Sequence, residues 1–279
     1  MTRALADLRA FGAAATKELR VMRRYPTLYL GVLFWPVMLP ASYVLMGRAY
    51  SADEPAALRA FAERSGTLDV PGFIFVGFFM YMWLSMLLWG PGSALRLEQV
   101  RGSLEALFLT PVSRLVILFG PASAHLLPLA LNVAVMGLAL WLLFGFVPTP
   151  SAAVSALVLL ALSVPAMYAL ASLFAAWVLR YGEVGPIVQV VRGTLVLLCG
   201  VTFPLALLPA WAQAAGVAFP TTHIVSAGRL VLLEDVPLAG VRGEILATVA
   251  LGALLAALAV LVFRLTEASA KRTGALSRF

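Results

Sequence analysis

Long runs without a charged side chain alternate with short polar islands along this chain, and the islands mark where its helices begin and end. A helix needs about 20 apolar residues to cross a bilayer core roughly 30 Å thick. Tyr25 to Gly47 and Val70 to Leu95 are two such runs, giving spans over 25–47 and 70–95. Leu115 to Leu179 holds no charged residue apart from His125 and is too long for one crossing. The stretch Gly145-Phe146-Val147-Pro148-Thr149-Pro150-Ser151 in its middle is a turn signal, so it divides into spans at 115–144 and 152–179. A fifth span is expected at 186–206, after the polar Arg180-Tyr181-Gly182-Glu183, and a sixth at 245–263. Gly193 to Gly228 is also uncharged, but Pro204, Pro209 and Pro220 interrupt it, making it longer than one crossing and too broken for two regular ones.

Two polar segments keep a helical period. In residues 1–24, Leu5, Leu8, Phe11, Ala15, Leu19 and Met22 fall on one arc, with Arg3, Asp7, Arg9, Lys17, Arg20, Arg23 and Arg24 on the rest. That is the pattern of a helix lying in the headgroup region, either as a lipid anchor for the first span or as a surface that also touches a soluble partner. The second segment is the charged island Leu97 to Arg114. Gly102 can interrupt the second span's helix, Ser103 can N-cap a new one, and Glu105 in the first turn complements the helix dipole. Pro111 stops that helix, which shows Leu104, Leu107 and Phe108 on one face. The spacing alone is equally consistent with a helix that only lies at the interface and with one that docks a soluble protein.

Composition agrees with the span pattern: 62% of the 279 residues are hydrophobic and 12% charged, more apolar than a water-solvated surface accommodates. The net charge of +7 reads as membrane topology rather than nucleic-acid binding, because Lys and Arg sort to cytoplasmic loops. With six spans and a cytoplasmic N-terminus, the inner side collects Arg96, Arg101, Arg114, Arg180, Arg192, Arg264 and the basic residues of both ends. The outer side keeps Arg48, Arg59, Arg64, Arg229 and Arg242. A seventh span would put the basic tail, 266–279, outside; Leu207 to Leu233 is therefore read as an element that dips into the outer leaflet and returns. A loop lying flat on the outer surface is the alternative. The long charged stretch before the first apolar run argues against a cleavable signal.

Several kinds of chemistry are excluded. Cys199 is the single cysteine, His125 and His223 lie in different segments, and no metal-ligating set exists, so neither a disulfide framework nor a clustered enzyme site is expected. A phosphate-binding P-loop needs a Lys before Ser or Thr, but Lys17 precedes Glu18 and Lys271 precedes Arg272. No Asp or Glu falls inside a span, which counts against an ion-coupled carrier without excluding one. The polar residues inside spans are His125 and Asn132, seven apart on one face, and Gln189 and Arg192 in the first turns of the fifth span. The first pair suits hydrogen bonds to a neighbouring helix or contact with cargo. Arg192 suits snorkelling to the cytoplasm or a gate for incoming cargo. Aromatic and Met side chains crowd the first two spans; most suit interface belts, and Met82 and Met86 are candidates for a cargo path.

Glu98 and Arg101-Gly102-Ser103-Leu104-Glu105-Ala106-Leu107, then Thr110-Pro111-Val112-Ser113, resemble the loop between the second and third spans of ABC-2 type transporter permeases. Phe203-Pro204-Leu205, Leu208-Pro209-Ala210-Trp211, Pro220-Thr221-Thr222-His223 and Arg229 are similar to the family's segment after the fifth span. Ser103 stands where Thr is more usual, which leaves the N-cap role intact. The resemblance implies an all-α integral membrane protein like the type V exporters, with six transmembrane helices in a permease domain over 25–265. It also implies a cytoplasmic coupling helix and a re-entrant segment. Glu98, Arg101, Gly102, Ser103, Leu104, Glu105, Leu107, Phe108, Thr110 and Pro111 would contact a cytoplasmic ABC ATPase, present in two copies and carrying the ATP and Mg2+. A second permease subunit, identical or a close paralogue, would complete the complex in a bacterial cytoplasmic membrane. Phe203, Pro204, Leu208 and Pro209 would stand at an outer gate. Drugs, antibiotics or lipids are the cargo class this implies, with a lipid-linked or capsular glycan as the alternative within the family.

Overall fold

The computed structural model describes residues 3–25, 27–51, 55–102, 106, 110, 116, 123–181 and 184–273. Among them every regular element is helical: α1 (Arg3–Arg24), α2 (Thr27–Ser51), α3 (Pro55–Ser65), α4 (Val70–Trp89), α5 (Pro91–Val100) and α6 (Leu126–Phe144), then α7 (Pro150–Tyr181), α8 (Val184–Leu198), α9 (Ala210–Val217), α10 (Pro220–Leu233) and α11 (Arg242–Thr273).

Helix α4 is the hub, packing against α2, α5, α6, α7, α8 and α10. Its sequence is apolar all round, which lets it be buried on every side; Phe75, Trp83, Leu84, Leu87 and Leu88 lose essentially all contact with the surroundings. The Asp69 carboxylate accepts from the Gly72 amide at 2.9 Å and caps its first turn. Helices α7 and α11 lie along each other at close range, since a Cβ on Gly252 would come 2.6 Å from the Ala166 Cβ. Helix α10 fills the space between α4, α7 and α11, burying Ile224, Val225, Ala227 and Val231.

Four helical stretches among the described residues have the length and apolarity to cross a membrane, Val70–Trp89, Leu126–Phe144, Pro150–Val178 and Leu238–Val262, or five if the pair α9 and α10 counts as one. The chain is thus a multi-pass membrane protein. Helix α2 has 25 residues, with Pro36 and Pro40 inside it.

Several boundaries differ from the sequence expectation, among them the third span, whose helix α6 begins at Leu126 rather than at 115. The second span does not run on to 95: it ends at Trp89, and Gly90 separates it from α5. Pro91 opens α5 because the first turn of a helix does not use its missing N–H. The His125 ring presses on Gly90 so closely that a Cβ there would meet Nε2 at 2.2 Å. The fifth helix does not reach 206, since α8 ends at Leu198 and Gly200 adopts a positive φ of 63°. At 1.5 Å per residue α8 is about 22 Å long, short of a full crossing. Between the first two spans lies α3, whose Phe61 ring stands edge-on to Phe73 at 5.2 Å. In the proline-broken segment, α9 and α10 meet at 90°.

Candidate functional site

Four residues of α4, Met82, Ser85, Met86 and Trp89, recur at helical spacing and share one face; Gly31, Trp35 and Leu39 do the same on α2. These faces oppose each other around a cavity of about 500 Å³, closed on the third side by Arg192 of α8. Arg192 Nη1 lies 3.4 Å from Gln189 Oε1 one turn earlier, and its Cζ stands 5.1 Å from the Tyr81 ring centroid. Its Nε is buried with no hydrogen-bond partner. Of the six residues singled out as a possible cargo path or as intramembrane polar groups, Met82, Met86 and Arg192 thus meet in one cavity; Gln189 touches Arg192 but does not line the space.

His125 and Asn132 lie elsewhere. His125 precedes the first residue of α6 and packs on Gly90. Asn132 is fully buried, and neither Oδ1 nor Nδ2 has a hydrogen-bond partner, so the interhelical bond expected for it does not form. A larger cleft, about 770 Å³, runs between α4, α7, α8 and α11; its walls are almost entirely apolar and include Phe174, Trp177 and Phe219.

A second, polar cavity of about 310 Å³ gathers Arg64, Pro204, His223, Arg229 and Glu244. Arg229 Nε and Nη2 donate to the Phe73 carbonyl at 3.1 and 3.0 Å; Nη1 donates to Gly200 O at 2.8 Å and Nη2 to Val201 O at 2.9 Å. The guanidinium also covers the Phe73 ring, 3.3 Å from its centroid. One side chain of α10 therefore holds the start of α4 and the turn after α8. Gly77 makes this approach feasible, because a Cβ there would come 2.1 Å from Val201 O. His223, expected to stand alone, is paired: Nδ1 lies 2.6 Å from Glu244 Oε2 and Nε2 lies 2.9 Å from Val217 O.

Of the residues assigned to an outer gate, Pro204 lines this polar cavity, while Phe203, Leu208 and Pro209 do not. Pro204 opens the single turn Leu205–Leu207. The Leu208 carbonyl accepts from Gln213 Nε2 at 2.7 Å, and the Pro209 carbonyl accepts from the amides of Ala212 and Gln213, starting α9.

In the charged island, Glu98 belongs to α5 and is clasped by Lys17 of α1, Nζ to Oε1 2.8 Å, with Arg101 Nη1 3.8 Å away. Gly102 ends α5 rather than the second span, with a positive φ of 72° and its amide bonded to Gln99 O. Thr110 is exposed. Ser103, Leu104, Glu105, Leu107, Phe108 and Pro111 lie outside the described residues. On the apolar arc of α1, Leu5, Leu8, Phe11 and Leu19 are exposed and Met22 is buried.

Sequence reasoning did not single out Glu244, and it named Lys17, Trp35 and Tyr81 without the partners they meet. Each acts across a long separation, 81 residues between Lys17 and Glu98 and 21 between His223 and Glu244, and no local pattern pairs such positions.

No curated protein matches the chain. The family model described as ABC-2 type transporter matches residues 9–233, which takes in most of α1, the α2 and α4 cavity walls, the charged island, Arg192 and the whole polar cavity except Glu244. With an all-helical multi-pass fold and a match over most of its length, the chain belongs to the ABC-2 type transporter family, as a transmembrane permease of an ABC transporter.

Proposed function

We propose that this permease is the membrane subunit of an ATP-driven exporter that moves a lipophilic or amphipathic cargo, a drug, antibiotic or lipid, out across a bacterial cytoplasmic membrane. It spans that membrane six times with both termini cytoplasmic, and pairs with a second permease subunit. Two copies of a separate ABC ATPase carry the ATP and Mg2+. The charged island couples them: Leu104, Leu107 and Phe108 enter a groove of the ATPase, and Glu98, Arg101 and Glu105 make polar contacts at its edge. ATP-driven closure of the ATPase pair then tilts the helices between inward-open and outward-open states. The proline-broken segment forms the outer gate.

The observation that carries the cargo class is the cavity walled by Trp35, Leu39, Met82, Met86 and Trp89. Flexible thioethers and flat rings adapt to varied apolar shapes. Export driven by ATP is tested by reconstituting the permease with an ABC ATPase that co-purifies with it and following efflux of a trapped fluorescent amphiphile. Efflux is expected only with ATP, and Glu105→Lys with Leu107→Asp is expected to abolish it while ATP hydrolysis continues. Efflux driven by an ion gradient without the ATPase would overturn the reading in favour of a secondary carrier.

A further inference from the structure

Arg192 is the eighth residue after the first of α8, about 12 Å along the helix at 1.5 Å per residue, and so stands well inside an apolar element. A cation at such depth is costly unless it is paired or wet. Among the described residues Arg192 has no carboxylate partner. Among the described residues its contacts of opposite polarity are one amide oxygen at the long distance of 3.4 Å and one aromatic face, and its Nε is buried without a hydrogen bond. Arg229 provides the contrast within the same chain, since its guanidinium makes four hydrogen bonds to three carbonyls. The cation at 229 is satisfied by the fold. The one at 192 is left with donors to spare, at the edge of a cavity of about 500 Å³ whose other walls are Trp, Met and Leu side chains with the Ser85 hydroxyl among them.

We infer that this cavity binds an amphiphile with one anionic group, a carboxylate, phosphate or sulfonate, held by Arg192, its apolar body lying between Trp35, Met82, Met86 and Trp89. A planar guanidinium offers an oxyanion parallel N–H donors. Ser85 adds a further polar contact on the same face of α4. The volume suits one small amphiphile rather than a polymer. This rests on the proposed export of lipophilic or amphipathic cargo and narrows it to anions.

The test uses the full-length permease in lipid nanodiscs with 11-(dansylamino)undecanoic acid as the probe, read by energy transfer from tryptophan. The wild type is expected to bind the acid at least tenfold more tightly than the matching alcohol. Arg192→Gln should erase that preference and Arg192→Lys keep most of it, with thermal unfolding confirming that both variants are folded. Equal affinities for acid and alcohol, or an unchanged preference in a folded Arg192→Gln variant, would overturn the inference. Nanodiscs of phosphatidylglycerol against phosphatidylcholine distinguish the source of the anion. Weaker probe binding in phosphatidylglycerol, seen in the wild type and not in Arg192→Gln, identifies a lipid headgroup as the occupant; no difference identifies a free organic anion. Tight binding without ATP-driven efflux of the same probe in the reconstituted complex would count against export and leave the binding site standing.

Discussion

Lys17 Nζ and Glu98 Oε1 lie 2.8 Å apart, tying the amphipathic helix α1 to the end of α5, where the charged island begins. Lys17 is 57% exposed, so the pair adds only about 0.2–1 kcal/mol to stability. Its value is positional: it fixes where α1 lies relative to the charged island, the segment proposed to meet the ATPase. Lys17→Glu is expected to leave the melting temperature nearly unchanged while lowering ATP-driven efflux severalfold. Combining it with Glu98→Lys should restore most of the rate, and a charge swap that restores nothing would remove the positional role.

Gly77 and Gly137 both sit inside apolar helices but should respond oppositely to a methyl group. At Gly77 the new Cβ would meet Val201 O at 2.1 Å, whereas at Gly137 nothing lies within 4 Å. Backbone cannot swing aside as a side-chain tip can, so Gly77→Ala should destabilise by about 1–3 kcal/mol. Gly137→Ala should be neutral or stabilise by up to roughly 1 kcal/mol, since Ala is the better helix former. Thermal unfolding in detergent measures both.

Cys199, 2% exposed and next to Gly200, is a natural reporter on the Arg229 staple. Arg229→Gln removes donors from the carbonyls of Phe73, Gly200 and Val201 and should cost about 1–3 kcal/mol. Maleimide labelling of Cys199, negligible in the wild type, should become rapid. Arg229→Lys should fall between, because an ammonium lacks the planar fork that reaches three carbonyls. Slow labelling in Arg229→Gln would show that other contacts hold the turn.

Asn132 buries an amide with both polar ends unpartnered. An apolar side chain of similar size removes that penalty, so Asn132→Leu is expected to raise stability by about 1–3 kcal/mol. A lower melting temperature would instead show that a partner outside the described residues holds the amide.

The membrane class and most of the helices were legible in the sequence because hydrophobic transfer acts residue by residue. A run such as Leu126–Phe144 needs no knowledge of its neighbours to be helical and apolar. The two family-like motifs were legible for the same local reason. The helix breaks were legible only in part. The prolines after Gly200 announced themselves, but Gly90 looked like any glycine in an apolar run, and its role depends on the His125 ring that occupies the space a Cβ would take.

The sequence by itself determined that this chain lies in a membrane as a bundle of helices, carries a charged island after its second long apolar run, and has no phosphate-binding loop. Tertiary structure decided which polar groups share a space. It placed Arg192 against Met82 and Met86, gave Arg229 three backbone carbonyls, and joined His223 to Glu244 and Lys17 to Glu98. The reason is physical: helical periodicity fixes which residues share a face of one helix, while the side of the bundle that face meets is set by packing among elements far apart in the chain.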